Sequence, residues 1–263
     1  MPATYDFTDK RILVTGASQG IGKEICLSLA KQGAQVIAFA RNEPNLRALV
    51  RESVPLRNTI IPIVGDVSAN EEVLFKLIVP HFPIHGLVNN AGIATNHAIG
   101  QITQQSIDRT FAVNVRGPIL IAQLVARNFV DRQIGGSIVN ISSQAAIRPL
   151  DNHTVYCASK AALDMVTRCA SKAALDMVTR CLANELGNQN IRVNSVNPTV
   201  VMTDMGRDNW SDPAKKQKML DRMPIKRFAE VDEVVNAVLF LLSDSSSMTT
   251  GSTLPVDGGF SNN

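Results

Sequence analysis

The chain carries no long hydrophobic run, no excess of one charge sign and no framework of cysteines. No apolar stretch in its 263 residues reaches the length of a membrane span. No charged leader followed by an apolar core opens it, so no secretory signal is expected. Lysine and arginine total 26 against 23 acidic residues, a net charge of +3 with no basic run. That balance argues against nucleic-acid and membrane partners. Of the four cysteines, Cys157, Cys169 and Cys181 recur at one spacing and Cys26 stands apart. They mark a duplication, and neither a disulfide set nor a metal site is expected. No linker composition divides the chain, so one domain over 1–263 is expected, in a reduced, cytoplasmic protein.

What is present alternates strands with helices. Residues 11–15 read as a buried strand, and Gly16-Ala17-Ser18-Gln19-Gly20-Ile21-Gly22 comes directly after it. A helical run from Lys23 to Gln32 then stops at Gly33. Strand, glycine turn and helix form the setting in which a helix N-terminus binds a pyrophosphate. A second strand covers 35–40 and ends at Arg41, where an NAD enzyme would place an acid. An arginine there suits a ribose 2′-phosphate and points to NADP.

Further strands are expected at 59–64, 86–88, 137–141, 191–196 and 252–256, and helices at 70–80, 104–130 and 230–243. Asp66, after the third strand, could accept from an adenine amino group. Asn114 lies inside the 104–130 helix, a poor helix former among apolar neighbours, for which a backbone or water-holding role is the sharper reading. Residues 197–199 read as a turn, and 200–228 as a polar excursion over the substrate side. The alternation predicts an α/β fold, a single-domain Rossmann-type doubly wound parallel sheet.

Tyr156 and Lys160, four residues apart, share one face of a helix. A cation beside a tyrosine favours the phenolate, which makes the pair a candidate proton donor and acceptor for a carbonyl or alcohol.

These motifs together resemble the short-chain dehydrogenase/reductase superfamily: TGASQGIG (15–22), NNAG (89–92), Asn114, Ser143, YCASK (156–160) and TGSTLPVDGG (250–259). The resemblance implies reversible hydride transfer in which Tyr156 protonates the carbonyl oxygen and Ser143 stabilises its developing charge. Lys160 would lower the Tyr156 pKa and bind the nicotinamide ribose, and Asn114 would hold a water. Gly16, Gly20 and Gly22 would take the pyrophosphate, Arg41 the 2′-phosphate, Asp66 and Asn89 the adenosine side, and Val201 and Thr203 the nicotinamide amide. Ser18, Gln19, Ile21 and Val67 complete the implied cofactor set, and Gln144, His153 and Trp210 would line the substrate pocket. The runs NHTVYCASK (152–160), VNPTVVMTDMG (196–206) and MTTGSTLPVDGGF (248–260) resemble members that reduce α-dicarbonyls and L-xylulose, the latter to xylitol, with NADPH. Another ketone, ketose or ketoacyl reduction, or an impaired dinucleotide binder, is the alternative. Homotetramers are implied as well. Two departures stand out: Gln19, where some NADP-preferring members carry a basic residue, and Pro198-Thr199, where most carry Pro-Gly.

The largest departure is a repeat: CASKAALDMVTR at 157–168 recurs letter for letter at 169–180. Twelve extra helical residues would add about 18 Å and rotate the rest of the helix by about 120°. Leu182, Ala183 and Leu186 would leave their face. One repeat length is therefore expected to be extruded as a loop or helical bulge, because closing a loop costs less than losing a core face. The identical copies leave Lys172 as an alternative partner for Tyr156, with Lys160 favoured because extrusion just after Tyr156 would crowd the substrate cleft.

Overall fold

The computed structural model describes residues 4–56, 60–168 and 186–262. Seven strands form one parallel sheet: β1 (Arg11–Thr15), β2 (Gln35–Ala40), β3 (Ile60–Val64), β4 (Gly86–Asn89), β5 (Gly136–Ile141), β6 (Ile191–Pro198) and β7 (Thr253–Val256). Their spatial order is β3-β2-β1-β4-β5-β6-β7, which reverses direction between β1 and β4. Such a reversal leaves a crevice at the strands' C-terminal ends, where open α/β sheets bind ligands.

The strands read as near-continuous apolar runs because both faces are covered. Successive side chains point to opposite faces. Val14, Val36, Ala38, Val139 and Val196 pack in one buried cluster with Ile25, Leu29, Leu46 and Val238. Leu13, Ile37, Phe39, Ile138 and Val193 pack in the other with Leu74, Ile121, Val125 and Phe129. The first layer belongs to α1 (Gly20–Lys31), α2 (Glu43–Ser53) and the helix Val231–Leu242; the second to α3 (Glu71–Ile78) and α5 (Gly117–Asp131). Among the described residues no helix is long and apolar enough to cross a membrane.

Three local expectations change. The α1 helix starts at Gly20 rather than Lys23, which puts the last two motif glycines in its first turn. Asn197 and Pro198, expected in a turn, extend β6: they pair with Pro255 and Val256 of β7. A proline is tolerated there because the strand ends on it. The 200–228 excursion contains two helices, Asp204–Asn209 and Pro213–Asp221. Thr203 caps the first by accepting from Gly206 N–H, and Asp212 caps the second through Ala214 and Lys215 N–H. The second contributes Met219 to a small apolar cluster with Met223, Phe228 and Phe260.

The 104–130 helix divides into α4 (Gln104–Phe111), a wider π-type turn over Ala112–Arg116, and α5. Helix α6 (Thr154–Arg168) carries the first repeat copy directly after Tyr156. The second copy lies outside the described residues, as do Leu182, Ala183 and the expected extrusion. Leu186, the first residue described beyond it, is buried against the second cluster.

Candidate active site

A groove of about 1000 Å³ opens over the C-terminal ends of β1, β2 and β4. Its floor is main chain. Gly16 turns out of β1 at φ +65°, and a Cβ there would sit 2.8 Å from Ala91 Cα. Thr15 Oγ1 accepts from Asn90 N–H at 3.0 Å and from Ala91 N–H at 3.1 Å, while Asn90 Nδ2 donates to Thr15 O and Gly16 O. The ends of β1 and β4 are thereby stitched together. Gln19 precedes α1 without a side-chain cap, so the first-turn N–H groups carry the helix dipole uncovered into the groove. Uncapped amides behind glycines suit an anionic dinucleotide phosphate.

Gly16, Ser18, Gln19, Gly20, Ile21, Arg41, Asp66, Val67 and Thr203 all line this groove. Arg41 Nη1 lies 3.6 Å from Asp66 Oδ2, both side chains partly exposed. Burial pushes the Asp66 carboxyl up, but the Ser68 N–H and hydroxyl together with Arg41 hold it below the usual carboxylate range. Gly22 stands behind the wall: a Cβ would meet Gly16 O and Asn90 Nδ2 at 2.4 Å. Val201 is buried, and its carbonyl accepts from Thr203 N–H at 2.7 Å.

Asn89 departs from its expected place on the adenosine side. It is buried, and Nδ2 donates to Pro118 O at 3.2 Å and to Asn140 Oδ1 at 2.9 Å. Its neighbour Asn90, just past the strand, lines the groove instead. Both faces of β4 are buried, Leu87 in one cluster and Val88 in the other, so alternation alone does not say which asparagine meets the groove.

The second group gathers where β5 meets α6. Ser143 lies just beyond β5, and its Oγ accepts from Ala145 N–H at 3.1 Å. The Ser143 hydroxyl acts on the Tyr156 phenol and favours its charged form. Lys160 is buried and donates from Nζ to Ile141 O at 2.7 Å. The same ammonium stands 6.0 Å from the Tyr156 ring centroid. Burial lowers the Lys160 pKa to about 8, against the opposing charge of Asp164. Burial also pushes the Tyr156 phenol up, partly offset by its Ser143 hydrogen bond. The lysine was expected to lower it. In this structure desolvation outweighs any help from a cation committed to the Ile141 carbonyl.

Asn114 sits in the π-type turn, a helix irregularity frequent at functional sites. Its Oδ1 accepts from Ile93 N–H, and Nδ2 donates to Ile93 O and Ser159 Oγ, all near 2.9–3.0 Å. Both amide protons are thereby used within the protein. Gly92 joins the two halves: it lines the groove, and a Cβ on it would lie 3.4 Å from Lys160 Nζ.

Of the expected substrate residues, Gln144 is 2% exposed with Oε1 lacking a protein donor. His153 meets the Tyr156 ring edge-on at 6.2 Å between centroids. Its Nδ1 lies 2.6 Å from Asp151 O; a carbonyl only accepts, so Nδ1 carries the proton and Nε2 is the acceptor. Trp210 packs edge-on against Phe228 at 5.5 Å, with Lys215 Nζ 4.5 Å from its ring.

Comparisons with known proteins agree with this geometry. The family described as "short chain dehydrogenase" matches residues 10–170, and "Enoyl-(Acyl carrier protein) reductase" matches 169–261, the two meeting inside the repeat. An L-xylulose reductase of Caenorhabditis elegans is 89% identical over 263 residues, covering both chains fully. The L-xylulose reductase of Mus musculus is 48% identical over 95% of this chain and 96% of its own. The D-erythrulose reductase of Gallus gallus is 45% identical over 99% of each. Among solved structures, a 7α-hydroxysteroid dehydrogenase complexed with NADH and 7-oxo glycochenodeoxycholic acid superposes with a TM-score of 0.86 at 31% identity, over 97% of this chain and 95% of its own. The sheet order, the uncapped α1, the Ser143–Tyr156–Lys160 cluster and these matches place the chain in the short-chain dehydrogenase/reductase family, oxidoreductases that act on CH–OH groups with a nicotinamide cofactor.

Proposed function

We propose that the chain is an NADPH-dependent carbonyl reductase whose substrates are α-dicarbonyls and L-xylulose, the sugar going to xylitol. The observation that carries the reading is Gly92, which sets Lys160 and its Ser143–Tyr156 neighbours against the wall of the dinucleotide groove. The relatives named L-xylulose reductase support the substrate. The nicotinamide, when bound, supplies the hydride.

The chain's residues do the rest. Ser143 Oγ, already accepting from Ala145, donates its proton to the carbonyl oxygen and stabilises its developing charge. Tyr156 delivers its proton to that oxygen as the C–H bond forms. The Lys160 ammonium, fixed on Ile141 O, compensates the phenolate left behind. Asn114 holds the Gly92-Ile93 turn against α6. Arg41 takes the 2′-phosphate, Asp66 and Asn90 flank the adenosine, Gly16 and the first turn of α1 take the pyrophosphate, and Thr203, seated on Val201, takes the nicotinamide amide. The buried Gln144 Oε1 and the His153 Nε2 are acceptors suited to substrate hydroxyls, which favours a ketose. The D-erythrulose reductase relative makes another short ketose the second reading. We place the protein in the cytoplasm as a homotetramer, which light scattering checks.

Loss of NADPH absorbance with diacetyl, L-xylulose and D-erythrulose tests the reading. Tyr156→Phe should abolish turnover with all three while NADPH still binds; retained turnover overturns it. The same assay on a chain lacking 169–180 reports whether the repeat alters activity.

A further inference from the structure

A buried carboxylate stands behind the Tyr156 cluster and takes no part in the chemistry above. Asp164 lies one turn of α6 beyond Lys160, so Tyr156, Lys160 and Asp164 fall along one stripe at four-residue steps. It is 4% exposed. Its Oδ2 accepts from Asn197 Nδ2 of β6, while its buried Oδ1 has no hydrogen-bond partner among the described residues. Asn197 Nδ2 also donates to the Ser143 carbonyl at 3.0 Å, while Asn197 Oδ1 accepts from Ser195 Oγ at 3.2 Å. Ser142 Oγ returns a hydrogen bond to Lys160 O at 3.2 Å. One carboxylate thus ties α6, the end of β5 and β6 together.

We propose that Asp164 is a positioning residue for the carbonyl reduction, resting on the roles assigned above to Ser143, Tyr156 and Lys160. Through Asn197 it fixes the Ser143 main chain relative to α6, and from its place one helical turn along the same buried stripe its charge favours the Lys160 ammonium. The physical reason is desolvation. A buried ammonium and a buried carboxylate are each costly, and each is favoured by the other. Burial raises the Asp164 carboxyl above the usual carboxylate range, and its neighbours, Asn197 and Lys160 among them, offset only part of that rise. Asp164 and Lys160 stand one helical turn apart on the buried face of α6, and the Lys160 ammonium is engaged by the Ile141 carbonyl rather than by the carboxylate. Tyr156 and the free thiol of Cys157 are the other titratable groups on this stretch of α6. Asn114, Ser159, Ser142, Ser195 and Asn197 surround the pair and do not titrate.

Two variants separate tether from charge. Asp164→Asn keeps the shape and deletes the charge; Asn197→Ala keeps the charge and cuts the tether to Ser143. Each is compared with the unaltered chain for NADPH binding by fluorescence and for kcat and KM with diacetyl across pH. For Asp164→Asn, NADPH affinity should hold within about twofold while kcat falls about tenfold, the scale of a small misplacement of a reacting group. Its alkaline limb should also move down by about one pH unit, because Lys160 then loses its proton earlier. For Asn197→Ala, kcat should fall and the alkaline limb should stay in place. Wild-type kcat in Asn197→Ala, or an unmoved alkaline limb in Asp164→Asn, overturns the proposal. If Asp164→Asn does not fold, kcat of Asn197→Ala decides. Turnover by Tyr156→Phe would instead overturn the reaction assignment itself, so the two failures are distinguishable.

Discussion

Between the ends of β1 and β4, the walls of the groove are largely main chain: a glycine turn, uncapped amides of α1 and the Asn90-Ala91 peptides on Thr15. Behind Tyr156, the contacts are side chains: Ser143, Asn114, Lys160, Asp164 and Asn197, buried and joined by hydrogen bonds that cross the sheet. The groove must admit and release a large anion, so it uses groups that cost little to leave in water. The catalytic end must hold a hydroxyl, a phenol and an ammonium in one geometry, so it buries them and ties their supporting side chains to several elements, leaving only Gln144 Oε1 and Asp164 Oδ1 without a protein partner among the described residues. Low dielectric there strengthens every interaction and penalises every unpaired group.

That contrast can be broken at either end. Removing a buried node should cost most. Asn114→Ala strands the Ile93 N–H and carbonyl and Ser159, and should destabilise by about 3 kcal/mol in urea unfolding while abolishing most activity. On the groove side, Gly16→Ala forces a Cβ onto Ala91 at positive φ, and should weaken NADPH binding about 30-fold in fluorescence titration with less change in kcat. Smaller still, Arg41→Ala removes an exposed cation, and should raise the KM for NADPH about tenfold without changing that for NADH. A stability loss from Arg41→Ala matching that of Asn114→Ala would erase the distinction.

The gentlest probe is pH. Lys160 titrates near 8, so kcat/KM should fall to half its plateau at about that pH and decline above it. The sign for stability is opposite. The unfolded chain keeps the lysine proton to higher pH than the folded one, so Lys160 should make folding more favourable as pH rises from about 8 toward the ordinary lysine range. Activity and stability diverging across that window is the signature of a buried ammonium.

Local patterns were legible in the chain. Strand periodicity, the glycine turn into α1 and the Tyr156–Lys160 spacing each depend on neighbours within one element. The choice between Asn89 and Asn90 was not, because it turns on which face β4 presents at its last residue. Pro198 was misread as a turn because its partner Val256 lies 58 residues on. The upward push on Tyr156 depends on burial by several elements and on where the Lys160 proton goes, neither of which a four-residue spacing contains.

The sequence by itself therefore determined a doubly wound parallel sheet, a dinucleotide groove at its glycine turn and a Ser-Tyr-Lys set, since repeated local chemistry encodes each. Only the tertiary structure decided what surrounds them. It brings Asp164 to Asn197 across 33 residues and Asn197 to Ser143 across 54. Such contacts exist once the sheet is assembled, because packing α6 over β5 and β6 desolvates the groups and makes a paired arrangement the cheaper one.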